Sequence, residues 1–561
     1  MQQSPAVRAP GTLLGHPIGL FLLFMVEMWE RFSYYGMRGL LVLYLVRSVT
    51  GDENHFNPGR GWTKQEASTL YGFYTGMAYL LPIVGGILAD KLIGTHRSMV
   101  VGALVIMLGH IVLAISGFGD MAHNQLGMSV FIFGLALIVI GTGHFKPSVS
   151  VMVGQLYKKD DPRRDGAFTI FYMGINLGAF LCAFVCGSLG ELVGWHWGFG
   201  SAAVGMGIGL LMYLSLRPKY LKGIGDVGSG EAAQNCQFCE YPIDGLPGTA
   251  CPECGKENHV VNGAVKLTPP DPAATTRKAI LIMIVGVILA ALFGAAYHAG
   301  IVTQFGKILT PTAIAAVGLV LLGLAAWFVA IQKPGDRGPT ASIFIFMFFN
   351  VFFWIAFEQA GSSVNLFTEE KTNRFLFGWE VPATWFQSVN AGLIFILAPM
   401  FSALWLALGR RNLNPSQPMK IALGLFFVGF GYIFMVWAGR IVSVPAAKAS
   451  MALVLLMYFW HTVGELCLSP TGLSYVTKAA PVRFVSLLMG IWFVSSFIAN
   501  LGGGLIAAQV EKIEKGEIRM PWNLGGQADF FMLFVVVSIG AAVVIAALTP
   551  LFKKLMRNPN D

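Results

Sequence analysis

Apolar blocks of about 20 residues recur along the whole chain and constrain its fold more than any other feature. A helix needs about 20 apolar residues to cross the ~30 Å hydrocarbon core of a bilayer. Because only helices and closed barrels satisfy the backbone in lipid, each block must be a helix. The sequence therefore predicts an all-α membrane protein. Its fourteen spans lie near 18–46, 67–89, 98–117, 128–150, 168–190, 198–216, 279–298, 311–331, 341–363, 384–408, 420–439, 450–475, 484–508 and 529–552.

The composition supports this prediction, since 55% of the residues are hydrophobic and only 12% are charged. Soluble proteins carry roughly a quarter charged residues, so this chain has too few to form a polar shell. Residues 1–17 lead into the first span without a small-residue cleavage site. The first span is thus expected to be an uncleaved helix.

The net charge of +9 is unevenly distributed between the two sides of the membrane. About two thirds of the 38 lysine and arginine residues lie in the termini and in loops on one side. By the positive-inside rule, this pattern predicts a multi-pass protein of the cell (inner) membrane with both termini in the cytoplasm. The basic excess is a topology signal, and nucleic-acid binding is not expected.

The fourteen spans are expected to form two bundles. The spans at 279–298 and 311–331 carry almost no polar side chains and resemble packing or lipid-facing helices. The other twelve divide into two six-helix bundles, 1–216 and 341–561, separated by a polar linker at 217–278 and an accessory helix pair within 279–340. This division suggests the major facilitator superfamily fold, with a substrate site between the bundles.

The first span carries an unusual polar stripe. Ionisable side chains at membrane depth are costly and invite a functional explanation. Six charged or tyrosine residues of this span form the stripe. At about 100° per residue they fall in a sector of about 140° around the helix, which is expected to face the bundle interior. A salt-bridge cluster that only holds helices together is the alternative. The stripe consists of Glu27, Glu30, Arg31, Tyr34, Tyr35 and Arg38.

Three further charges lie in other spans: Lys146, Glu358 and Glu465. An unpaired lysine or glutamate in hydrocarbon tends to lose its charge. A Lys146–Glu465 pair would keep both groups charged, and protonation of Glu465 would break the attraction. Such a carboxylate can couple proton binding to a conformational change.

Five motifs now point to one family. The stretch from Glu27 to Tyr35 reads ExxERFxYY, and GGxxAD begins at Gly85. FYxxINxG begins at Phe171, GELCLSP at Gly464 and GIWF at Gly490. Together they resemble the proton-dependent oligopeptide transporter family (peptide transporters of the major facilitator superfamily), over both bundles and in order.

The resemblance implies a peptide site. Arg31 and Lys146 would hold the peptide carboxylate and Glu465 its ammonium group. Asn390 and Ser496 have an alternative role as helix–helix hydrogen bonds, and Trp492 as a packed aromatic residue. The implied binding residues are Arg31, Tyr34, Tyr35, Tyr79, Lys146 and Asn176 in the N-terminal bundle, and Asn390, Glu465, Trp492 and Ser496 in the C-terminal one.

The resemblance also implies two gates: Arg38–Glu358 on the extracellular side and Lys146–Glu465 on the cytoplasmic side. Animal members of the family carry a histidine in the second helix, but span 67–89 has none. Proton coupling would then rest on Glu27, Glu30 and Glu465, with Arg31 neutralising the first two. His461 lies one turn before Glu465 and either tunes it or packs as a neutral side chain.

The linker contains two CxxC motifs, Cys236–Cys239 and Cys251–Cys254, separated by eleven residues. Four thiolates suit tetrahedral zinc, so a structural zinc ribbon is predicted. The alternative is four reduced thiols, since disulfides are not favoured on the reducing cytoplasmic side. The insert could dock a protein partner, act as a sensor or tether the two bundles.

Together these features predict a proton-coupled symporter that imports di- and tripeptides by alternating access and needs no cofactor for transport. A transporter of the same fold for another small solute, such as nitrate, an amino acid or a modified peptide, is the alternative. An intramembrane enzyme is not favoured, because HExxH, GxSxG and a membrane-embedded metal cluster are absent from the sequence.

Overall fold

A computed structural model of the chain describes residues 11–50, 57–157, 161, 163–226, 271–302, 311–481 and 484–556. Each of the fourteen predicted spans falls on a helix, so the prediction of an all-α membrane protein is confirmed. The helices are α1 (Ile18–Val46), α2 (Lys64–Leu88), α3 (Gly94–Ile115), α4 (Gln125–Gln155), α5 (Arg164–Cys182), α6 (Trp195–Tyr220), α7 (Pro272–His298), α8 (Pro311–Ala330), α9 (Pro334–Phe357), α10 (Ser363–Lys371), α11 (Trp385–Arg410), α12 (Gln417–Ile441), α13 (Met451–Ala479), α14 (Val485–Ala507), α15 (Val510–Glu514), α16 (Gln527–Ala547) and α17 (Thr549–Leu555).

By length and apolarity alone, eleven helical stretches of the described chain could cross a membrane. One of them, Lys64–Ile115, contains two predicted spans, because α2 continues into α3 through the π-helical segment Ala89–Ile93. The charged helix α1 and the shorter apolar stretch Ala316–Ala330 are the predicted spans outside these eleven.

Short strands occur only in loops of the described chain. Strands β1 (Thr12–Leu13) and β2 (His16–Pro17) form a hairpin before α1, and β4 (Phe375–Leu376) and β5 (Trp379–Glu380) form another before α11. Strand β3 (Thr372–Asn373) pairs in parallel with β6 (Ala449–Ser450). The two hairpins are exposed or half-buried, whereas Thr372 of β3 and Ala449 of β6 are fully buried.

Several helix starts follow from local sequence. Thr63 and Glu66 form a capping box at α2, in which the Thr63 hydroxyl accepts from the Glu66 N–H at 3.2 Å. Asp271 accepts from the N–H groups of Ala273 and Ala274 at the start of α7. Such caps satisfy amide donors that have no partner within the helix.

The helices pack in two groups. Helix α1 packs against α5 and α6, α3 packs against α4, and the accessory helix α7 lies on α4. In the second group α12 packs against α13 and α16, and one buried apolar cluster extends from Ile343 to Phe552. The groups meet where α2 contacts α14 and α5 contacts α11.

Glycines allow α2 and α14 to approach closely. A Cβ added at Gly72 would lie 2.9 Å from the Cα of Gly504 and within 3.2 Å of two backbone oxygens of α14. Small residues at such positions let membrane helices pack backbone to backbone. The contact therefore depends on glycine at both positions.

Gly72→Ala is expected to destabilise the protein by about 1–3 kcal/mol, because the methyl group must push α14 away. Thermal unfolding in detergent measures the change. Gly540→Ala is the matched control, since Gly540 lies in α16 with nothing within 4 Å of the added carbon. Equal melting temperatures for the two variants would contradict the prediction.

Candidate functional site

A cavity of about 970 Å³ lies between the two helix groups. Its walls come from α1, α2, α4 and α5 on one side and α9, α11, α13 and α14 on the other. Nine of the ten predicted binding residues line it: Arg31, Tyr35, Tyr79, Lys146, Asn176, Asn390, Glu465, Trp492 and Ser496. The structure thus brings these residues, which are far apart in the sequence, to one connected space, and their role in peptide binding stays a prediction.

The tenth residue, Tyr34, does not line the cavity. Its side chain is buried (2% exposed) and its ring stacks on that of Tyr74 in α2, with the centroids 6.3 Å apart. Tyr35 takes the cavity-facing position instead. Helical spacing predicts that all six residues of the stripe face the bundle interior. Tyr34 does so, but it packs against α2 and does not reach the cavity.

The charged part of the stripe is compact. Arg31 Nε lies 3.0 Å from Glu27 Oε1 and 2.5 Å from Glu30 Oε2, and all three side chains are buried. Glu27 and Arg31 line the cavity, whereas Glu30 is fully covered. Arg31 Nη2 is buried and has no hydrogen-bond acceptor among the described residues. The guanidinium group therefore keeps unused donor capacity at the wall of the cavity.

Lys146 lies on the same side of the cavity. Its Nζ is 3.7 Å from the centroid of the Tyr79 ring, a cation–π contact. It also interacts electrostatically with Glu27 and Glu30. This wall therefore combines two cations with two carboxylates, and the cations contact the cavity.

Glu465 is the charged residue on the opposite wall of the cavity. Tyr172 donates its hydroxyl hydrogen to Glu465 Oε1 at 3.2 Å, and Asn390 Nδ2 donates to Oε2 at 2.9 Å. Asn390 also donates to Thr462 at 3.0 Å. In this conformation Glu465 is held by those two residues and Lys146 by Tyr79, so the predicted Lys146–Glu465 pair is not formed.

The cavity has one closed end, at the start of α11. Arg38 forms a buried ion pair with Glu358, directly after α9, and its Nε donates to the Tyr71 hydroxyl at 2.6 Å. Two further ion pairs join the helix groups there: Arg47–Glu369 at 2.8 Å and Lys64–Glu370 at 2.5 Å. The predicted gate pair is thus one member of a larger set of contacts.

At the other end, the open end, the walls separate. Phe168 at the start of α5 and Phe401 and Trp405 near the end of α11 line this part of the cavity. Phe168 and Tyr172 are each 37% exposed. Among the described residues, the cavity therefore opens at the end away from the Arg38–Glu358 pair.

Sequence reasoning missed several cavity residues. Gln387 precedes Asn390 by one turn of α11, and Tyr172 belongs to the FYxxINxG motif but was not assigned a role. Trp354 donates from Nε1 to Asn350 Oδ1 at 3.1 Å, and Asn350 donates to Ser495 at 3.2 Å. Polar residues at one-turn spacing in spans could have indicated Asn350 and Gln387.

The four predicted zinc ligands, Cys236, Cys239, Cys251 and Cys254, lie outside the described residues. Within the described ranges, no group of three or more potential ligands could hold a metal. Cys182, Cys186 and Cys467 are buried thiols in or directly after helices.

A bundle of apolar helices around a polar, charged cavity that opens at one end is the architecture of a membrane transporter. The chain belongs to the POT family, whose sequence profile matches residues 96–228 and 326–522. This membership confirms that the protein is a multi-pass membrane transporter and not an enzyme.

Individual relatives match this chain along nearly its full length. The peptide transporter YePEPT of Yersinia enterocolitica is 35% identical over 559 residues, covering 100% of this chain and 99% of the relative. The di-/tripeptide transporter of Lactococcus lactis subsp. cremoris is 32% identical and covers 97% of each chain.

Solved structures give the same result. A peptide transporter POT in complex with sulfate superposes with a TM-score of 0.73 at 32% identity, covering 98% of each chain. A POT family transporter in complex with a thioalcohol conjugated peptide gives a TM-score of 0.71 at 28% identity, covering 96% of this chain and 98% of that one.

Proposed function

We propose that the protein is a proton-coupled symporter that imports di- and tripeptides. The observation that carries the proposal is the separation of charge in the cavity, with Arg31 and Lys146 on one wall and Glu465 on the other. A short peptide is a zwitterion, with its charged termini one or two residues apart. The names of the relatives, peptide and di-/tripeptide transporters, are consistent with this substrate.

In the proposed complex, the peptide carboxylate binds the guanidinium group of Arg31 and the ammonium group of Lys146 through charge-assisted hydrogen bonds. The ammonium group binds Glu465 and replaces the Tyr172 hydroxyl as its donor. Asn176 and Asn390 offer donors and acceptors to the peptide bonds. Tyr35, Tyr79 and Trp492 supply amphipathic walls that accept different side chains, and Ser496 adds a hydroxyl.

Transport proceeds by alternating access between two six-helix bundles, 1–216 and 341–561. The Arg38–Glu358 pair closes the extracellular side and the Lys146–Glu465 pair closes the cytoplasmic side in the alternate state. The closed end found here is then extracellular, and the protein faces inward. Glu27, Glu30 and Glu465 are the carboxylates available to carry the coupled proton.

The basic loops support an orientation with both termini in the cytoplasm of a cell (inner) membrane. The open end lies at the start of α5, next to the basic stretch that includes Arg163 and Arg164. A basic stretch at the end to which the cavity opens supports an inward-facing importer with its termini in the cytoplasm.

Uptake of labelled dialanine by liposomes containing the purified protein tests the function. With an imposed inward proton gradient, the liposomes should accumulate dialanine well above protein-free liposomes. An unlabelled tripeptide should compete, whereas nitrate and free alanine should not. Competition by nitrate or alanine, but not by tripeptide, would favour the alternative of another small solute.

The linker has a separate proposed role as a zinc-binding docking module. The two flanks of the linker bind neighbouring residues at the start of α3. On the N-terminal flank, Gly225 O accepts from the His96 N–H at 2.9 Å. On the C-terminal flank, Thr276 Oγ1 accepts from Arg97 Nε at 3.3 Å. Because both flanks attach at neighbouring residues, a module mounted on one bundle is favoured over a tether between the bundles.

The purified chain is expected to contain about one zinc ion, held by Cys236, Cys239, Cys251 and Cys254. Replacing Cys236 and Cys251 by serine should remove the metal, because two ligands cannot retain structural zinc. Elemental analysis measures the stoichiometry. Cys467→Ser, in α13, is the matched control and should keep its zinc; zinc retained by the double variant would refute the site.

A further inference from the structure

At the closed end of the cavity, the carboxylate of Glu191 in one helix group accepts hydrogen bonds from the other helix group. Glu191 lies in the π-helical turn Leu189–Val193 that follows α5. Its Oε2 accepts from the Ala383 N–H at 2.9 Å, and its Oε1 accepts from the Thr384 N–H at 2.9 Å and the Thr384 hydroxyl at 2.6 Å. All three donors belong to the start of α11.

The start of α11 depends on this carboxylate. Within the described chain, the Thr384 side chain does not cap its own helix. The N–H groups of the next three residues close tight turns with Pro382, Ala383 and Thr384, so the amides of Ala383 and Thr384 need an outside acceptor. Both residues are almost fully buried, and the Glu191 carboxylate supplies the acceptors that their own helix does not.

Glu191 is itself held in place by its own helix group. Asn57 Nδ2 donates to the backbone oxygen of Gly190 at 2.7 Å and to that of Glu191 at 3.3 Å. Asn57 also accepts from the Trp195 N–H at 3.3 Å. The turn is therefore fixed to one half, while its side chain caps a helix of the other half.

The neighbouring contacts are close and charged. Trp385 Nε1 donates to Ser188 at 2.9 Å, and a Cβ added at Gly187 would collide with Thr384. Glu369 and Arg374 interact electrostatically with Glu191, and Arg374 pairs with Glu369 at 2.7 Å. The carboxylate thus sits in a closed, specific pocket between the halves.

We propose that Glu191 is a positioning residue of the transport cycle, which caps α11 of the opposite half only while this end of the cavity is closed. The inference rests on the proposed function as a transporter that opens alternately at its two ends. Opening this end would withdraw the carboxylate and leave two amides and a hydroxyl to be solvated. The cap therefore favours the conformation seen here.

The cap acts on the cavity through α11. Thr384 lines the cavity, and Gln387 and Asn390 follow it along the same helix. At 1.5 Å per residue, Asn390 lies about 9 Å from Thr384 along the helix axis. Fixing the first turn of α11 therefore helps to place the amide that binds Glu465.

Glu191→Gln in the full-length protein in lipid nanodiscs tests the proposal by amide hydrogen exchange. Glutamine keeps the size but loses the charge and one acceptor oxygen. Exchange in the segment 381–388 should rise about 2- to 30-fold, the range expected for loss of a helix cap. Glu517→Gln, an exposed glutamate after α15, is the matched control and should exchange as the unaltered protein does.

The same variant in liposomes should show a lower KM for external dialanine, by up to the same factor. Loss of the cap raises the fraction of protein open to the outside, and apparent affinity scales with that fraction. If the variant does not fold, Thr384→Val removes the hydroxyl donor alone and should give the same local pattern, weaker.

Three results would overturn the proposal: no difference in exchange from Glu517→Gln, a rise spread over all helices, or a local rise with unchanged KM. Hydrogen exchange is measured without substrate. Absence of dialanine uptake by the unaltered protein would therefore count against the proposed function, while the exchange data still decide whether Glu191 caps α11.

Discussion

Glu465→Gln is expected to lower dialanine accumulation driven by a proton gradient at least about tenfold and to retain counterflow at saturating peptide, where a weaker bond to the ammonium group is compensated by concentration. Glutamine cannot bind and release a proton at this point, so the gradient loses the one candidate carboxylate that also binds the peptide ammonium group. It keeps an oxygen that can accept from Tyr172 at the 3.2 Å position seen here. Exchange of labelled for unlabelled peptide needs alternating access but no net proton movement.

The measurement compares gradient-driven uptake with counterflow in the same liposomes. Glu517→Gln makes the same chemical change at an exposed site and should retain both activities. Loss of counterflow at saturating peptide, together with loss of driven uptake, would contradict the prediction, because it would show that the Glu465 charge is indispensable for binding itself. Driven uptake that survives in Glu465→Gln would place the coupling proton elsewhere, with Glu27 and Glu30 as the next carboxylates to test.

Much of the fold was predictable because lipid imposes simple rules. A helix must be about 20 residues long and apolar, so each of the fourteen spans could be located without an alignment. The inward orientation of α1 followed from spacing, since charges such as Glu27 and Arg31 cannot face lipid. In the structure both contact the cavity.

What could not be predicted depends on which helix lies beside which. Tyr34 and Tyr35 are adjacent in the stripe, and only the position of α2 decides that Tyr34 stacks on Tyr74. Arg47 and Glu369 are 322 residues apart, and both lie near span ends where charges are ordinary. Glu191 likewise resembles a loop acid until α11 is placed against it.

The second large effect is expected on stability, when the buried Arg38–Glu358 ion pair is broken. Arg38→Met is expected to lower the free energy of unfolding by about 3–5 kcal/mol, because it leaves Glu358 buried without a partner. The Arg38 and Glu358 side chains are 7% and 5% exposed, so water solvates the remaining Glu358 carboxylate poorly once Arg38 is removed. Thermal unfolding in detergent measures the loss, and Asp161→Asn, at a pair whose arginine is half exposed, should leave the melting temperature unchanged.

The double variant Arg38→Met with Glu358→Leu separates stability from gating. It removes both charges, so most of the lost stability should return. Dialanine uptake should nevertheless stay at least tenfold below that of the unaltered protein, because the closed end has lost its central ion pair and the Arg38–Tyr71 hydrogen bond. Recovery of uptake along with stability would mean that the pair serves packing only, and that Arg47–Glu369 and Lys64–Glu370 suffice to close this end.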